Sequence, residues 1–252
     1  MAGATFQVGP FAVTLEGDAA LRDLAAVPAK ATSSGEALTV RLQSDDSVMN
    51  EPAEGWRENR CRARGLRLRR DGDAIQGVYM PAKGAVERAL RFALQPALLE
   101  RGFLMLHAAT VQLPNGVHLF AAPSGTGKTT LARRLSEAGF PALGDEVALV
   151  DASGCTPYPF QPVAPASQLR CQLKALHFLR RGEPSSRVLP AAETAARILG
   201  LAMVYEDRPE AAARALDIAD SIARKVNGHE THLPNDARAT DHLLALDAGA
   251  PQ

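Results

Sequence analysis

The run Ala122-Pro123-Ser124-Gly125-Thr126-Gly127-Lys128-Thr129 has the residue types of a loop that grips phosphate. Gly125 and Gly127 let the backbone curl so that successive N–H groups point inward, and a helix starting just after adds unpaired donors and a positive dipole end. Lys128 can then reach the β and γ phosphates as a point charge, while the Thr129 hydroxyl can ligate a magnesium ion bridging them; Thr130 opens the helix behind. Ala122 stands where the strict pattern has its first glycine, which a small residue fits if its backbone angles are ordinary. The bland alternative is a Gly-Lys-Thr loop that arose by chance and holds nothing.

A phosphate site needs acids nearby to carry the metal and to take a proton. Gly144-Asp145-Glu146 is one source. Adjacent acids on an extended segment point to opposite sides, so one could hold Mg²⁺ while the other accepts a proton from an attacking hydroxyl. A polar turn between two strands would explain the same pair. Asp151 is a rival, because Val147-Ala148-Leu149-Val150-Asp151 has the look of a metal-binding strand end. Too few residues separate Gly139 from Asp151 for a crossover helix between parallel strands, so a hairpin around Asp145 and Glu146 is expected instead.

The elements that must position these groups are readable on either side. An apolar strand at 117–121 precedes the loop, a helix at 130–138 comes after it, and a short strand at 141–143 leads to the acids. Before them, strands near Leu104 and Leu106 and at 110–112 are joined to 116–121 by a turn at Pro114-Asn115-Gly116, which reads as a hairpin. Residues 85–100 have apolar positions at helical spacing, with Pro96 expected to kink or restart the helix. From Phe6 to about Met80 the alternation of Phe11, Val13 and Leu15, then Leu38, Val40 and Leu42, predicts a β-rich section.

Arginines at 60, 62 and 64 and then at 67 and 69 change parity at Gly65, which suggests a bulge in an edge strand guarded by charge, or a docking edge for an acidic or extended peptide. After Asp151 a polar, proline-bearing loop to about residue 167 is expected, then a helix over 168–181. On that helix Arg170, Lys174, His177 and Arg181 would share one face beside Leu169, Leu173, Leu176 and Leu179. Such a face is either solvated or, if it borders the nucleotide, a place for Arg170 or Arg181 to stabilise transferring charge.

Helices over 190–204 and 209–224 come next, the second capped by Asp207 and Glu210 with an apolar stripe of Ala212, Ala215, Leu216, Ala219 and Ile222. A strand at 229–233 and a helix at 238–246 finish the chain. His229, Glu230 and His232 offer no zinc geometry and read as structural.

Lys plus Arg equals Asp plus Glu at 28 each in 252 residues, so no whole-molecule field draws the chain to nucleic acid or anionic lipid. Hydrophobic residues at 46% suit a globular protein with a sizeable core. Cys61, Cys155 and Cys171 match neither a disulfide framework nor a zinc site and read as buried thiols in a reducing compartment. The amino-terminal residues lack the pattern of a secretory signal and no stretch is apolar enough to span a membrane, so a soluble, cytoplasmic protein is expected.

The segments Arg91-Phe92-Ala93-Leu94, Leu106-His107-Ala108-Ala109, the loop from Pro123 to Thr129, and Leu143-Gly144-Asp145-Glu146 together resemble the HPr serine kinase family. The likeness is to its carboxy-terminal catalytic domain and to the shorter HPr-kinase-related proteins. Ala223-Arg224-Lys225-Val226 and Leu233-Pro234-Asn235-Asp236 resemble the family's closing strand more weakly. The resemblance implies an α/β fold with a P-loop β-core of the HPr kinase and phosphoenolpyruvate carboxykinase type. A β-rich section over 1–84 would precede a kinase-like domain over 85–252.

It implies transfer of the γ-phosphate of ATP, with Mg²⁺, to a serine hydroxyl. Asp145 would be the general base, Glu146 would stand where the family has a metal-side Asp, and His107 would touch the γ-phosphate or Asp145. Read alone, His107 on an apolar strand is a core residue. The Glu-Ile-Arg-Gly-Leu-Gly type signature of the full kinase/phosphorylases is missing, so a peptide or small protein is the expected substrate, as in peptide tailoring such as lasso-peptide phosphorylation. No nucleic-acid or membrane partner is expected, and a homo-oligomer is allowed. The alternative function is a nucleotide-binding regulator or scaffold with little or no phosphotransfer; a small-molecule kinase lacks a second Arg-rich lid segment.

Overall fold

The computed structural model describes residues 2–17, 35–45, 57–58, 66–80, 84–158, 170–206 and 208–249. The chain is α/β, with mixed sheets and, among the described residues, five helices. It divides into two compact units, one of residues 1–101 with 204–212 and one of residues 102–203 with 213–252. The helix over 85–100 falls in the first of these units and packs on its sheet.

In the first unit, β1 (Ala2–Val8) and β2 (Phe11–Gly17) form an antiparallel hairpin, and β3 (Glu36–Ser44) lies parallel to β2. Then come β4 (Arg57–Glu58), β5 (Leu66–Asp71) and β6 (Ala74–Tyr79), giving the order β1-β2-β3-β6-β5-β4. The alternation read in the sequence is the burial pattern: Val13, Leu15, Leu38, Val40 and Leu42 are all buried. Helix α1 (Ala85–Glu100) packs on β3 and β6. It runs unbroken through Pro96, contrary to the expected restart. Pro96 is half-buried between buried Phe92–Gln95 and Ala97–Leu99, so packing on both sides offsets the hydrogen bond that proline cannot donate. Arg60, Arg62, Arg64, Gly65 and Cys61 lie outside the described residues. At Arg67 and Leu68 the edge of β5 is already taken by β4.

The second unit is built on β7 (Leu104–Leu113), β8 (Gly116–Ala121), α2 (Lys128–Glu137), β9 (Ala142–Gly144), β10 (Val147–Asp151) and β11 (Gly154–Pro157). It continues with β12 (Leu173–Arg181), β13 (Ser185–Val188), α3 (Ala191–Leu201), the part of α4 (Pro209–Ala223) from residue 213 on, β14 (Asn227–Leu233) and α5 (Arg238–Asp247). The sheet order is β11-β10-β7-β8-β12-β14-β13, with β9 also on β7. The hairpin expected at 114–116 is present, joining β7 to β8. Ala109, Val111, Phe120, Leu131, Leu135, Leu179 and Leu243 form a core under α2 and α5.

Four expectations fail here. Residues 173–181 are a strand, not a helix, and lie in the sheet interior, parallel to β8 on one side and to β14 on the other. The run Leu-Lys-Ala-Leu-His-Phe-Leu-Arg-Arg favours a helix by propensity, but it is buried on both faces, and that tertiary setting overrides the local preference. His177 is consequently in the core, not on a shared face with Lys174. The expected loop after Asp151 holds the β10–β11 hairpin.

No hairpin forms at Asp145 and Glu146. β9 and β10 both pair antiparallel with β7, at Thr110–Val111 and at Leu104–His107, on the edge that β8 leaves open. They are two lengths of one interrupted strand, and the acids sit at the interruption. On α4, Ala215, Ala219 and Ile222 of the expected stripe are buried, but Ala212 and Leu216 are exposed, with Ala211 and Ile218 buried in their place; Asp207 lies outside the described residues. No helix among the described residues is long and apolar enough to cross a membrane.

Candidate functional site

Three parallel strands, β8, β12 and β14, end at the same side of the sheet, at Ala121, Arg181 and Leu233. Clefts form beyond the carboxyl ends of parallel strands because the chain leaves each one in a different direction. The segment 122–127 emerges from the end of β8, and α2 begins directly on Gly127.

Gly125 has φ 80° and Gly127 φ 108°, both in the left-handed region. An added Cβ at either would meet nothing within 4 Å, so glycine is required here by backbone angle and not by crowding. Thr126 closes the turn, its Oγ1 donating to the Pro123 carbonyl at 2.8 Å. No side chain caps α2, and its first backbone bond runs from Leu131 N–H to Gly127 O at 2.9 Å. The first-turn amides of such a helix have no partner within it and are open to an acceptor.

Lys128 is buried, with Nζ donating to the carbonyls of Ala122 at 2.6 Å and Pro123 at 3.1 Å. Burial pulls its ammonium below the ordinary lysine range, and the Glu146 carboxylate works against that pull. The cation and the acid therefore feel each other across the site.

A cleft of about 540 Å³ opens in front of the loop. Ser124, Gly125, Gly127, Lys128, Thr129 and Thr130 line it from the loop and helix. His107, Asp145, Glu146 and Arg181 complete it. Residues far apart in sequence meet because β7 carries both the interrupted strand and His107 on its path. His107 is one of two positions in β7 that are not buried, so it forms cleft wall and not core. Asp145 and Glu146 both line the cleft, at the interruption between β9 and β10. Pro123 and Thr126 lie on the far side of the loop, against a neighbouring hollow.

Asp151 is absent from this wall. It accepts from the backbone N–H of Ser153 at 2.7 Å and of Gly154 at 3.1 Å, and pairs with Arg170, so it is the turn residue of the β10–β11 hairpin. Its carboxyl is held below the usual range by those donors, against the opposing effect of burial. Cys155 is a buried thiol, pushed up to about 12 chiefly by burial. Cys171 pairs with it across a single β-bridge.

Among the described residues no group of three or more His, Cys, Asp and Glu could enclose a metal ion. Magnesium at a phosphate site does not need one, since it keeps waters and takes phosphate oxygens, with one or two protein ligands. Thr129 and Glu146 on one cleft wall, beside Asp145, fit that sparse requirement.

Sequence reasoning offered Arg181 as a residue that could border the site but placed it on a helix face; it is on a strand. As the last residue of β12 it lines the cleft, with Nη2 3.4 Å from the Gly125 carbonyl. Reading 173–181 as a doubly buried strand ending beside the loop strand was the signal available. His229, Glu230 and His232 are on β14. No protein-family model matches the chain, and no curated protein matches it significantly.

Proposed function

We propose that the chain is an ATP- and Mg²⁺-dependent kinase that phosphorylates a hydroxyl, serine above all, of a peptide or small protein. The second unit would be a P-loop β-core similar to those of HPr kinase and phosphoenolpyruvate carboxykinase. What carries this reading is the meeting of Lys128 and Thr129 with Asp145, Glu146 and His107 around one cleft.

Lys128 exchanges the two loop carbonyls for phosphate oxygens, a short swing because Nζ already sits on the loop. Mg²⁺, when bound, would supply neutralisation of charge on the nucleotide phosphates. Glu146 and Thr129 would hold it on the protein side. Asp145 takes the proton of the acceptor hydroxyl as its oxygen bonds to the γ-phosphorus. The bond from that phosphorus to the β–γ bridging oxygen breaks, and ADP leaves with the electron pair. His107 and Arg181 border the same space as donors toward the transferring group.

Incubating the protein with γ-labelled ATP, Mg²⁺ and a panel of serine peptides, read by mass spectrometry, tests this. A gain of one phosphate on serine is the expected product. Tight nucleotide binding with no phosphorylated product from any peptide would favour a nucleotide-operated regulator instead.

A further inference from the structure

On the other side of the loop lies a second cleft of about 670 Å³, within the range of built ligand sites. It shares Arg181 with the phosphate cleft, and Pro123 and Thr126 form the partition. Phe178 and Leu179 from β12 and Leu201 from α3 give it an apolar floor. Arg180, Arg181, Arg197 and His232 stand in its wall, and no Asp or Glu does among the described residues.

The charges behind this wall do not cancel. Arg197 is fixed by Glu193 and Glu230 and lies 5.7 Å over the Phe178 ring. Glu230 also faces Arg180 at 3.5 Å and Arg187 at 3.8 Å, with Arg187 3.3 Å from Glu193. Two carboxylates thus serve three guanidinium groups. Arg181 is a fourth, with no carboxylate partner among the described residues and only a long bond to a loop carbonyl. His232, 3.5 Å from Glu230, adds a further donor.

Resting on the kinase reading, we infer that this second cleft holds the acceptor chain and selects a segment with acidic residues beside the acceptor hydroxyl. An extended peptide seated on Phe178 and Leu201 reaches past the partition to the phosphate cleft. Its carboxylates meet Arg180 and Arg181, where opposite charge supplies orientation and partner choice. A uniform apolar groove would not discriminate; an excess of guanidinium over carboxylate does.

The test uses the whole chain with ADP and Mg²⁺, and three fluorescent serine peptides flanked by Glu, by Lys or by neither. Anisotropy should show the Glu peptide binding about tenfold tighter than the uncharged one and the Lys peptide weakest, with the preference fading as salt is raised. Arg180→Glu should abolish or reverse that order, whereas Arg224→Glu, exposed just after α4 and outside this cleft, should leave it. Equal affinities for the three peptides would overturn the inference. So would a single-stranded oligonucleotide binding more tightly than the Glu peptide, or a parallel loss of nucleotide affinity in Arg180→Glu, which would give the cleft to the nucleotide.

The two readings fail separately. Glu-peptide preference with no phosphate transfer from ATP would remove the kinase and keep the acidic-segment site. Phosphopeptide formed without preference, and unchanged in Arg180→Glu, would keep the kinase and remove the site.

Discussion

His118 Nδ1 and His177 Nε2 lie 2.9 Å apart inside the second unit's sheet, and the pair is the middle of a line of side chains running from α5 to β13. Asp247 Oδ1 is 2.9 Å from His118 Nε2, Thr231 Oγ1 is 3.0 Å from His177 Nδ1, and Ser186 Oγ is 3.1 Å from Thr231 Oγ1. One direction of donation satisfies every member. A carboxylate only accepts, so His118 donates from Nε2 and accepts at Nδ1 from His177, which accepts at its own Nδ1 from Thr231, which accepts from Ser186. Both imidazoles are neutral in this arrangement. His229 stacks on His177 at 5.2 Å, so any charge gained by one ring is felt by the next.

Acid should therefore loosen this unit. Burial holds His177 well below the ordinary histidine range, and the neighbouring histidines push the same way. Burial lowers His118 as well, opposed by Asp247, and it lowers His229 and His242. A histidine depressed in the folded state gives its full stability above the unfolded value of about 6.5, and loses it as pH falls from there toward the folded value. The unfolded chain binds protons that the native one refuses. Denaturant midpoints should be level from pH 8 to 7 and fall below about 6.5, by at most about 1.4 kcal/mol per pH unit for each of the two most buried rings, His118 and His177. A level profile down to pH 5 would show these rings charged in place.

Lys128→Ala should separate fold from ligand. The two carbonyls that Nζ satisfies lie at the loop and can take water, and the cost of burying an ammonium disappears with it. The melting temperature should change little. Nucleotide affinity should drop about tenfold to a hundredfold, the loss of charged hydrogen bonds to phosphate. Isothermal titration with ATP alongside a thermal scan checks both halves.

The adjacent acids should give different kinetic signatures even though they share a wall. Asp145→Asn removes the proposed proton acceptor, so transfer should fall by about 10²- to 10⁴-fold while ATP binding stays within about threefold. Glu146→Gln removes the proposed metal ligand and the group that supports the charge on Lys128. It should raise the Mg²⁺ needed for half-maximal rate and weaken nucleotide binding as well. Equal losses in rate and metal dependence for the two variants would mean that they do not divide the work.

How much was legible in the sequence depends on the range of the forces involved. The loop and its helix are local, so Gly125, Gly127 and Lys128 could be read directly, as could the hairpin at Pro114 and the alternating strands around Val13 and Val40. Residues 173–181 were misread because helix propensity is a property of the segment, whereas burial between β8 and β14 is a property of partners more than forty residues away in either direction. The acids were placed correctly beside the loop for the wrong local reason. A hairpin and an interrupted strand have the same turn-like composition, and only the open edge of β7 decides between them. The line from Asp247 to Ser186 was invisible for the same cause, since its members are contributed by five separate elements.

One close approach in the same unit tests how tightly α3 is set on the sheet. A Cβ at Gly228 of β14 would lie 2.4 Å from Thr194 Oγ1 and 2.6 Å from its Cγ2. Thr194 is buried on α3, and its hydroxyl has no hydrogen-bond partner among the described residues. The contact is thus steric and not a bond, and the strand passes under the helix only because position 228 has no side chain. Gly228→Ala should cost about 1–3 kcal/mol through overpacking. Thr194→Ala alone should be close to neutral, because it removes an unsatisfied hydroxyl together with its packing. The double variant should recover most of the loss, leaving a coupling of about 1–2 kcal/mol between the two sites. Strictly additive effects would mean that α3 shifts to admit the methyl group. Arg197, Gly200 and Leu201 would then move with it, and the second cleft would change shape in Gly228→Ala without any change to its own residues.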